Sequence, residues 1–308
     1  MTGSAIQPTI PRPKTNGLLR RIAKGRSGYL FLAPHFLFFA LFFLYPFCQG
    51  IFRSFFSYSF GSFEFWGFQG YRKLLQDRLF WVALKNTAYY TLSIVPLWLL
   101  KALVVSVLLF PFSSRVQTFY KALFYLPHVA SVVIISLLWL WIYNPQYGLL
   151  NALLKLAGLP AQVWLGNRIL AMPSVIFMQL VMGGGTTIVL LSAALAGIPP
   201  EYIEVARIEG ARQSQVFFRI MLPLIKPVIL YLVVIGTINS FQVFEQVYVM
   251  TEGGPEFSTV TLVYQIYDRA FVTFDFGLAL AESVVLMLIL MALAVVQFRF
   301  LGGGAVEY

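Results

Sequence analysis

Six long apolar stretches constrain the fold of this chain more than any other feature. Each is about as long as the ~20 residues that a helix needs to cross a ~30 Å hydrocarbon layer. Their apolar residues run continuously rather than alternating, and within lipid only helices or closed barrels satisfy all backbone groups. We therefore predict an all-α integral membrane protein with six transmembrane helices. The predicted spans are residues 29–49, 86–110, 122–143, 171–198, 224–249 and 276–298.

The composition favours a membrane protein over a soluble one. Hydrophobic residues make up 59% of the chain and charged residues 11%, whereas soluble domains average roughly 25% charged residues. The net charge of +10 does not indicate nucleic-acid binding, because the basic residues are dispersed at helix ends. Cys48 is the only cysteine, and His35 and His128 stand alone in apolar stretches. We predict packed or interfacial histidines and no metal site.

The segments outside the spans predict the orientation of the chain. Residues 1–28 carry prolines and basic residues, which is typical of a cytoplasmic N-terminal tail. The first apolar stretch exceeds the core of a signal peptide and lacks a cleavage site, so we expect it to be retained. Lysine and arginine are more frequent on the side of this tail, which predicts that both termini are cytoplasmic. The remaining segments are an extracytoplasmic loop at 50–85, a five-helix core at 86–300 and a C-terminal tail at 301–308.

The polar loop at 199–223 has the features of a short helix lying along the membrane face. Pro200 suits the first turn of a helix, where Glu201 and Glu204 complement the positive end of its dipole. Gly210 can adopt a left-handed conformation and end that helix. A soluble partner gripping such a helix could move both neighbouring spans. The alternative is an ordinary amphipathic helix resting on lipid headgroups.

The spacing within this loop resembles the EAA loop of bacterial ABC importer permeases, the segment that docks on the ATP-hydrolysing subunit. The pattern is Glu-X-Ala, three residues, a glycine, nine residues and Ile-X-Leu-Pro; Val205 departs slightly from it. Two further segments make the chain similar to the carbohydrate-importer group, which includes the maltose and glycerol-3-phosphate permeases. They are Gly148–Asn151 and Thr251–Pro255. The resemblance covers residues 29–300 and implies a type I ABC importer permease fold with a cytoplasmic coupling helix.

The resemblance also implies the function and the partners. The chain would be a permease subunit in a bacterial or archaeal inner membrane, translocating a carbohydrate delivered by an extracytoplasmic binding protein. A second homologous permease chain and two ATPase subunits would complete the assembly. The chain has no phosphate-binding loop, so ATP and Mg are expected on the partner ATPase and no catalysis on this chain. The implied docking residues are Glu201, Glu204, Ala206, Gly210, Ala211, Ile220, Leu222 and Pro223.

Polar residues within the fourth and fifth spans are candidates for the solute pathway, because such residues are costly at membrane depth. Consecutive glycines at 183–185 could open the fourth helix and expose backbone carbonyls. In the fifth span three polar residues recur at i, i+3 and i+6 and share a helix face. The alternative is that these groups only join helices together in lipid. The candidates are Gln179, Gly183, Thr186, Asn239, Ser240, Gln242 and Glu245, and similar positions in the maltose permease line its sugar site.

Two single ionisable residues, Lys101 and Glu282, lie within apolar spans. They could pair with each other or with Glu245, or lie near a helix end. Since Lys101 is the only basic candidate for the cavity, we favour a neutral sugar, oligosaccharide or glycoside as the solute. A permease for glycerol phosphate-type solutes is the alternative. An ion-coupled secondary transporter would call for more intramembrane carboxylates and for inverted repeats.

Overall fold

The computed structural model describes residues 26–59 and 61–301. Most of the predicted N-terminal tail (1–25) and of the C-terminal tail (302–308) lies outside this part of the chain. The chain divides into two compact units, Met1–Phe52 and Arg53–Tyr308. Within the first, α1 (Arg26–Phe39) continues through a π-helical turn (Ala40–Leu44) into α2 (Tyr45–Arg53). A candidate membrane span of 23 residues results, Phe31–Arg53.

The second unit contains a small β-hairpin and the remaining helices. The elements are β1 (Phe56–Ser59), β2 (Ser62–Phe65), α3 (Gln69–Gln76), α4 (Arg78–Leu109), α5 (Ser114–Val129), α6 (Val132–Ile142), α7 (Leu149–Leu156), α8 (Ala171–Met182), α9 (Gly185–Ala196), α10 (Pro200–Ile208), α11 (Gln213–Val216), α12 (Leu222–Leu224), α13 (Lys226–Phe241), α14 (Glu245–Met250), α15 (Leu262–Tyr267) and α16 (Phe276–Leu301). Two further π-helical turns cover Phe217–Met221 and Asp268–Val272.

The hairpin is an addition to the predicted all-α fold. Its strands are antiparallel, with Phe56 opposite Phe65 and Tyr58 opposite Phe63. The paired rings lie 5.3 Å and 4.8 Å apart between centroids, and such cross-strand aromatic pairs stabilise a two-stranded sheet. Gly61 has a φ of 87° in the turn. The segment predicted as a loop at 50–85 is therefore largely structured.

The described residues include four helical segments that are long and apolar enough to cross a membrane, or up to six spans if each of two bent pairs counts as one. The bent pairs are α5 with α6, which meet at 91°, and α8 with α9, which meet at 48°. The third and fourth predicted spans are thus broken rather than straight. The fifth is interrupted as well, because α13 ends at Phe241 and α14 begins at Glu245.

The longest helix, α4, organises the second unit. The helix begins at Arg78, earlier than the predicted residue 86. Asp77 caps this end by accepting a hydrogen bond from the Leu79 amide (2.8 Å). It packs against α8, α9, α13 and α15. Three clusters of buried apolar residues result. The first lies around α8 and α14, the second around α9 and α10, and the third between the start of α4 and α16.

Candidate solute cavity and surface helix

A cavity of about 220 Å³ opens where α4, α8, α13 and α14 meet. Six of the seven predicted pathway residues line it: Gln179, Gly183, Asn239, Ser240, Gln242 and Glu245. Thr186, the seventh, is exposed on α9 and is not part of the lining. The other lining residues are Tyr90, Ile94, Val95, Trp98, His128, Gly184, Gly236, Val243 and Gln246.

Glycines form the break between α8 and α9 on one side of the cavity. Gly184 has a φ of 102°, a conformation that residues with a side chain rarely adopt. A Cβ atom there would lie 2.6 Å from Trp98 Nε1, and one on Gly185 would lie 2.6 Å from Tyr125 Cα. The sequence prediction that these glycines open the helix is confirmed. They also let α4 and α5 approach its backbone closely.

The carbonyl groups exposed by the break bind Lys101. Its Nζ donates to Leu180 O and to Gly183 O, both at 2.5 Å. The two pairings considered from the sequence, with Glu282 or with Glu245, are therefore wrong. The ammonium group lies instead at the C-terminal end of α8, where the helix dipole favours a positive charge.

Two polar groups of the cavity wall have no hydrogen-bond partner among the described residues. The Gln246 side chain is only 6% exposed; its Nε2 donates to Gln179 Oε1 (3.1 Å), while its Oε1 is unpaired. Trp98 Nε1 is also buried and unpaired. Buried polar atoms without partners are rare in folded proteins. Both atoms are enclosed by neighbouring groups in this conformation, so the wall contains one donor and one acceptor without a partner.

Sequence reasoning missed Gln246 and Trp98 and predicted a packed or interfacial role for His128. Gln246 directly follows Glu245 in the sequence. Because α13 ends at Phe241, the single helix face that we predicted for Asn239, Gln242 and Glu245 does not continue through the fifth span. Trp98 lies between two glycines, Gly184 and Gly236, because a Cβ on Gly236 would also be close to its ring, at 3.2 Å. His128 is exposed and lines the cavity. Glycines packed against a tryptophan are the signal that could have indicated a closely packed cavity wall.

Glu282 lies in a second polar cluster, away from the lining of the cavity. Its side chain is fully buried, and its Oε2 lies 2.9 Å from Arg269 Nη1 as an ion pair outside hydrogen-bond geometry. Arg269 also pairs with Asp77. With its amide oriented to satisfy both neighbours, Gln265 donates to Glu282 Oε1 (2.9 Å) and accepts from Arg269 Nη2 (2.8 Å). This cluster connects the start of α4 with the π-helical turn that follows α15, and it connects both with α16.

The surface helix α10 has the bounds that the sequence indicates. Pro200 is its first residue and Glu201 lies in its first turn. At its end Gly210 has a φ of 81°, its amide binds Arg207 O (3.0 Å), and the next amide binds Ala206 O (2.9 Å). This pattern is a Schellman motif, which stops a helix at a glycine.

The two faces of α10 differ in what they contact. Ile203 and Ala206 are buried in the cluster that contains Leu191 and Leu195 of α9 and Ile225 next to α13. The opposite face exposes acidic and apolar side chains together. Of the predicted docking residues, Glu201, Glu204, Gly210 and Pro223 are exposed, Ala211, Ile220 and Leu222 are half-buried, and Ala206 is buried; the face also exposes Tyr202, Val205 and Ile208.

A helix bundle with a polar cavity and a separately exposed surface helix agrees with one family model. Residues 99–302 match the model described as binding-protein-dependent transport system inner membrane component. The chain belongs to this family. It is thus a permease, a membrane component of an ABC transport system, and not its catalytic subunit.

Individual relatives cover nearly the whole permease. The ABC transporter permease protein YurN of Bacillus subtilis (strain 168) is 35% identical over 284 residues, which cover 91% of this chain and 97% of the relative. An sn-glycerol-3-phosphate transport system permease protein, UgpA of Agrobacterium fabrum (strain C58 / ATCC 33970), is 31% identical, with 88% and 93% covered.

A solved structure agrees on the fold. A crystal structure of a bacterial ABC transporter involved in the import of the acidic polysaccharide alginate has a TM-score of 0.79 at 24% identity, and 92% of this chain and 98% of that chain are covered. A crystal structure of a bacterial alginate ABC transporter in complex with alginate pentasaccharide-bound periplasmic protein has a TM-score of 0.78, again at 24% identity, with 92% and 96% covered. The permease has the predicted type I ABC importer permease fold.

Proposed function

We propose that this permease carries a neutral sugar, oligosaccharide or glycoside through the cavity between α8 and α13. The observation that carries the proposal is the chemistry of the wall. It offers the amide and hydroxyl groups of α8 and α13 and a single carboxylate, that of Glu245. Tyr90, Trp98 and His128 add flat surfaces. Uncharged polar groups next to aromatic faces suit a ligand with many hydroxyl groups on an apolar ring.

The proposed complex contains a second related permease chain, two ATPase subunits that hold ATP and Mg, and an extracytoplasmic binding protein. The solved alginate transporter in complex with a sugar-loaded periplasmic protein supports the last of these by analogy. In this arrangement α10 and both termini face the cytoplasm. The binding protein then delivers solute from the opposite side.

We propose further that α10 is the coupling helix. Ile203 and Ala206 are buried in the same apolar cluster as Leu195 of α9 and Ile225 beside α13. Close-packed side chains transmit displacement rather than absorbing it. A pull on the exposed face of α10 would therefore shift α9 and α13 together; α13 lines the cavity, and α9 follows directly on the glycines that line it. Motion of a partner ATPase would change the access of the solute to the two sides of the membrane.

Substitution of Glu204 by lysine in the complex purified with its co-expressed partners tests this role. Glu204 is exposed on α10, so Glu204→Lys should leave the permease folded while it weakens co-purification of the ATPase and abolishes ATP-driven transport. Glu64→Lys on the exposed β2 strand is the matched control and should behave as wild type. Full co-purification and transport in Glu204→Lys would exclude the coupling role.

The glycerol phosphate alternative draws support from the name of the UgpA relative. An anionic solute requires positive groups in its site, however, and among the described residues no lysine or arginine lines the cavity. Mass spectrometry of the small molecule that co-purifies with the binding protein distinguishes the two classes. A neutral glycoside supports the main proposal, and a phosphate ester supports the alternative.

An ion-coupled secondary transporter is less compatible with the contacts of Glu282. This buried carboxylate pairs with Arg269 and binds Gln265, so it does not serve as an open ion site. Uptake into proteoliposomes by this chain alone, with an ion gradient and no ATP, would support that mechanism. We expect no such uptake.

A further inference from the structure

The end of α8 leaves backbone carbonyls that a continuous helix would satisfy. In a straight helix, Leu180 O would accept from the amide of residue 184. The left-handed conformation of Gly184 ends that pattern, and α9 begins anew at Gly185. Carbonyl groups without partners are costly inside a membrane protein. The break therefore needs a donor from another helix, and Lys101 of α4 supplies it through both Leu180 O and Gly183 O.

The side chains of α4 fit the break closely. Trp98 and Lys101 are three residues apart and share one face of the helix. A Cβ on Gly184 would lie 2.6 Å from Trp98 Nε1 and 3.2 Å from Lys101 Cε. The indole thus covers the backbone of the break while the ammonium binds its carbonyls. Both contacts would be lost if α8 and α9 formed one straight helix.

The ammonium group of Lys101 binds backbone carbonyls behind the cavity lining and does not face the solute cavity. No ion pair of Lys101 with a carboxylate occurs in the described part of the chain, and its side chain does not line the cavity. A lysine at membrane depth is costly unless it binds polar groups. The C-terminal carbonyls of α8 provide these groups, and the helix dipole adds a favourable field.

We infer that Lys101 is a positioning residue of the solute cavity. By binding the carbonyls of Leu180 and Gly183, its ammonium group holds the break between α8 and α9 in the bent form. The break in turn fixes the place of Gln179, which binds Gln246 across the cavity. The significance for transport rests on the proposed function, whereas the structural role does not. Lys101 thus maintains the shape of the cavity wall, and its charge is not needed to bind an uncharged solute.

Hydrogen–deuterium exchange of the full-length permease in lipid nanodiscs tests the role without knowledge of the solute. Lys101→Met keeps the length of the side chain but removes its donors. We expect amide exchange in the peptide 176–190 to rise on the order of tenfold, because two carbonyls lose their partner. Exchange in the peptide 262–272, around Arg269, should stay within threefold of wild type. Lys101→Arg retains several donors and should restore exchange at the break to within threefold.

Lys121→Met is the matched control for loss of a lysine. Lys121 is also half-buried, but its hydrogen-bond partner among the described residues is Gln117 Oε1 on its own helix (3.1 Å). This variant should leave exchange in the peptide 176–190 unchanged. If Lys101→Met does not yield monodisperse protein, Lys101→Gln, which keeps a shorter donor, takes its place and should give an intermediate increase. Unchanged exchange at the break, or an equal increase in all peptides, would overturn the inference.

The fluorescence of Trp98 provides a second readout that a general loss of stability would not mimic. The signal is the difference between each variant and the same variant carrying Trp98→Phe. In Lys101→Met, a relaxed break should admit water to the indole, shift its emission to longer wavelength and increase quenching by iodide. An emission spectrum identical to that of wild type would contradict the inference. Absence of ATP-driven transport in the wild-type complex would refute the proposed function alone and leave these two readouts unaffected.

Discussion

Lys101 and Arg269 are both cations inside the helix bundle, but they bind different kinds of partner. Lys101 binds the backbone carbonyls of a broken helix. Arg269, only 8% exposed, binds the carboxylates of Asp77 and Glu282. The carbonyl partners are available because the helix is broken, whereas the carboxylate partners are side-chain groups that do not depend on a break. We expect the first contact to respond to a change in the cavity and the second to hold its segments together.

The surroundings of the two cations support this distinction. The Arg269 cluster connects the start of α4 with the π-helical turn after α15 and with α16. The adjoining apolar residues Phe80, Leu262 and Leu286 are buried. The Lys101 site borders the cavity of about 220 Å³ and a closely packed glycine break. We therefore expect α4 to be held rigidly at its start, near Arg269, and to have more room for movement near Lys101.

The largest effect is expected from Arg269→Met, which would break the carboxylate cluster. It leaves the fully buried Glu282 without its cation, and removal of one partner of a buried pair costs about 3–5 kcal/mol. The thermal unfolding midpoint in detergent should fall further than in any other variant considered. A shift no larger than that of Lys101→Met would abolish the distinction between the two cations.

A smaller effect is expected from Glu282→Gln, because Arg269 then still binds Asp77. The glutamine keeps the shape of the side chain and can still accept a hydrogen bond, so we expect a loss of about 1–3 kcal/mol. The same melting experiment measures it. A loss equal to that of Arg269→Met would show that Asp77 contributes nothing to holding the guanidinium group.

The glycine at the break should tolerate a side chain poorly. Gly184→Ala places a Cβ against Trp98 Nε1 at a φ of 102°, and the left-handed conformation alone costs about 1–2 kcal/mol. Gly197→Ala is the matched control, since Gly197 has a φ of −78° and its Cβ would meet only atoms at 3.5 Å. We expect the melting midpoint to fall for the first variant only. An equal change in both would show that the break is not under conformational constraint.

The smallest effect is expected from an ion pair at the surface. Arg168 and Glu256 meet at 2.9 Å, but their side chains are 69% and 70% exposed. Exposed pairs contribute about 0–1 kcal/mol, so Arg168→Gln should leave the melting midpoint nearly unchanged. A large shift would mean that this face is buried in the assembled complex.

The sequence predicts those features that local residues determine. Pro200 and Gly210 mark the ends of α10 because their backbone preferences act within one turn. Apolar length predicts the spans, and the glycines at 183–185 predict the break in the fourth. Six of the seven pathway residues line one cavity for a related reason, since polar side chains in apolar helices turn away from lipid.

The partners of Lys101 and Glu282 were not predictable in this way. Both depend on contacts between helices far apart in the sequence, and single residues carry no signal of such a contact. The hairpin was overlooked although aromatic residues alternate on both sides of Gly61. The role of Gln246 required the interruption after Phe241, which apolar periodicity does not indicate.

The division of α10 into a buried and an exposed face limits how its loop can be exchanged between transporters. A graft of residues 199–223 from another permease would bring foreign side chains to the positions of Ile203 and Ala206, and these would have to match the recipient's α9 and Ile225. Only the outward residues, such as Glu204 and Val205, can be replaced independently. Under the proposed coupling role, directing the permease to a different ATPase subunit therefore requires redesign of only the exposed half of this helix.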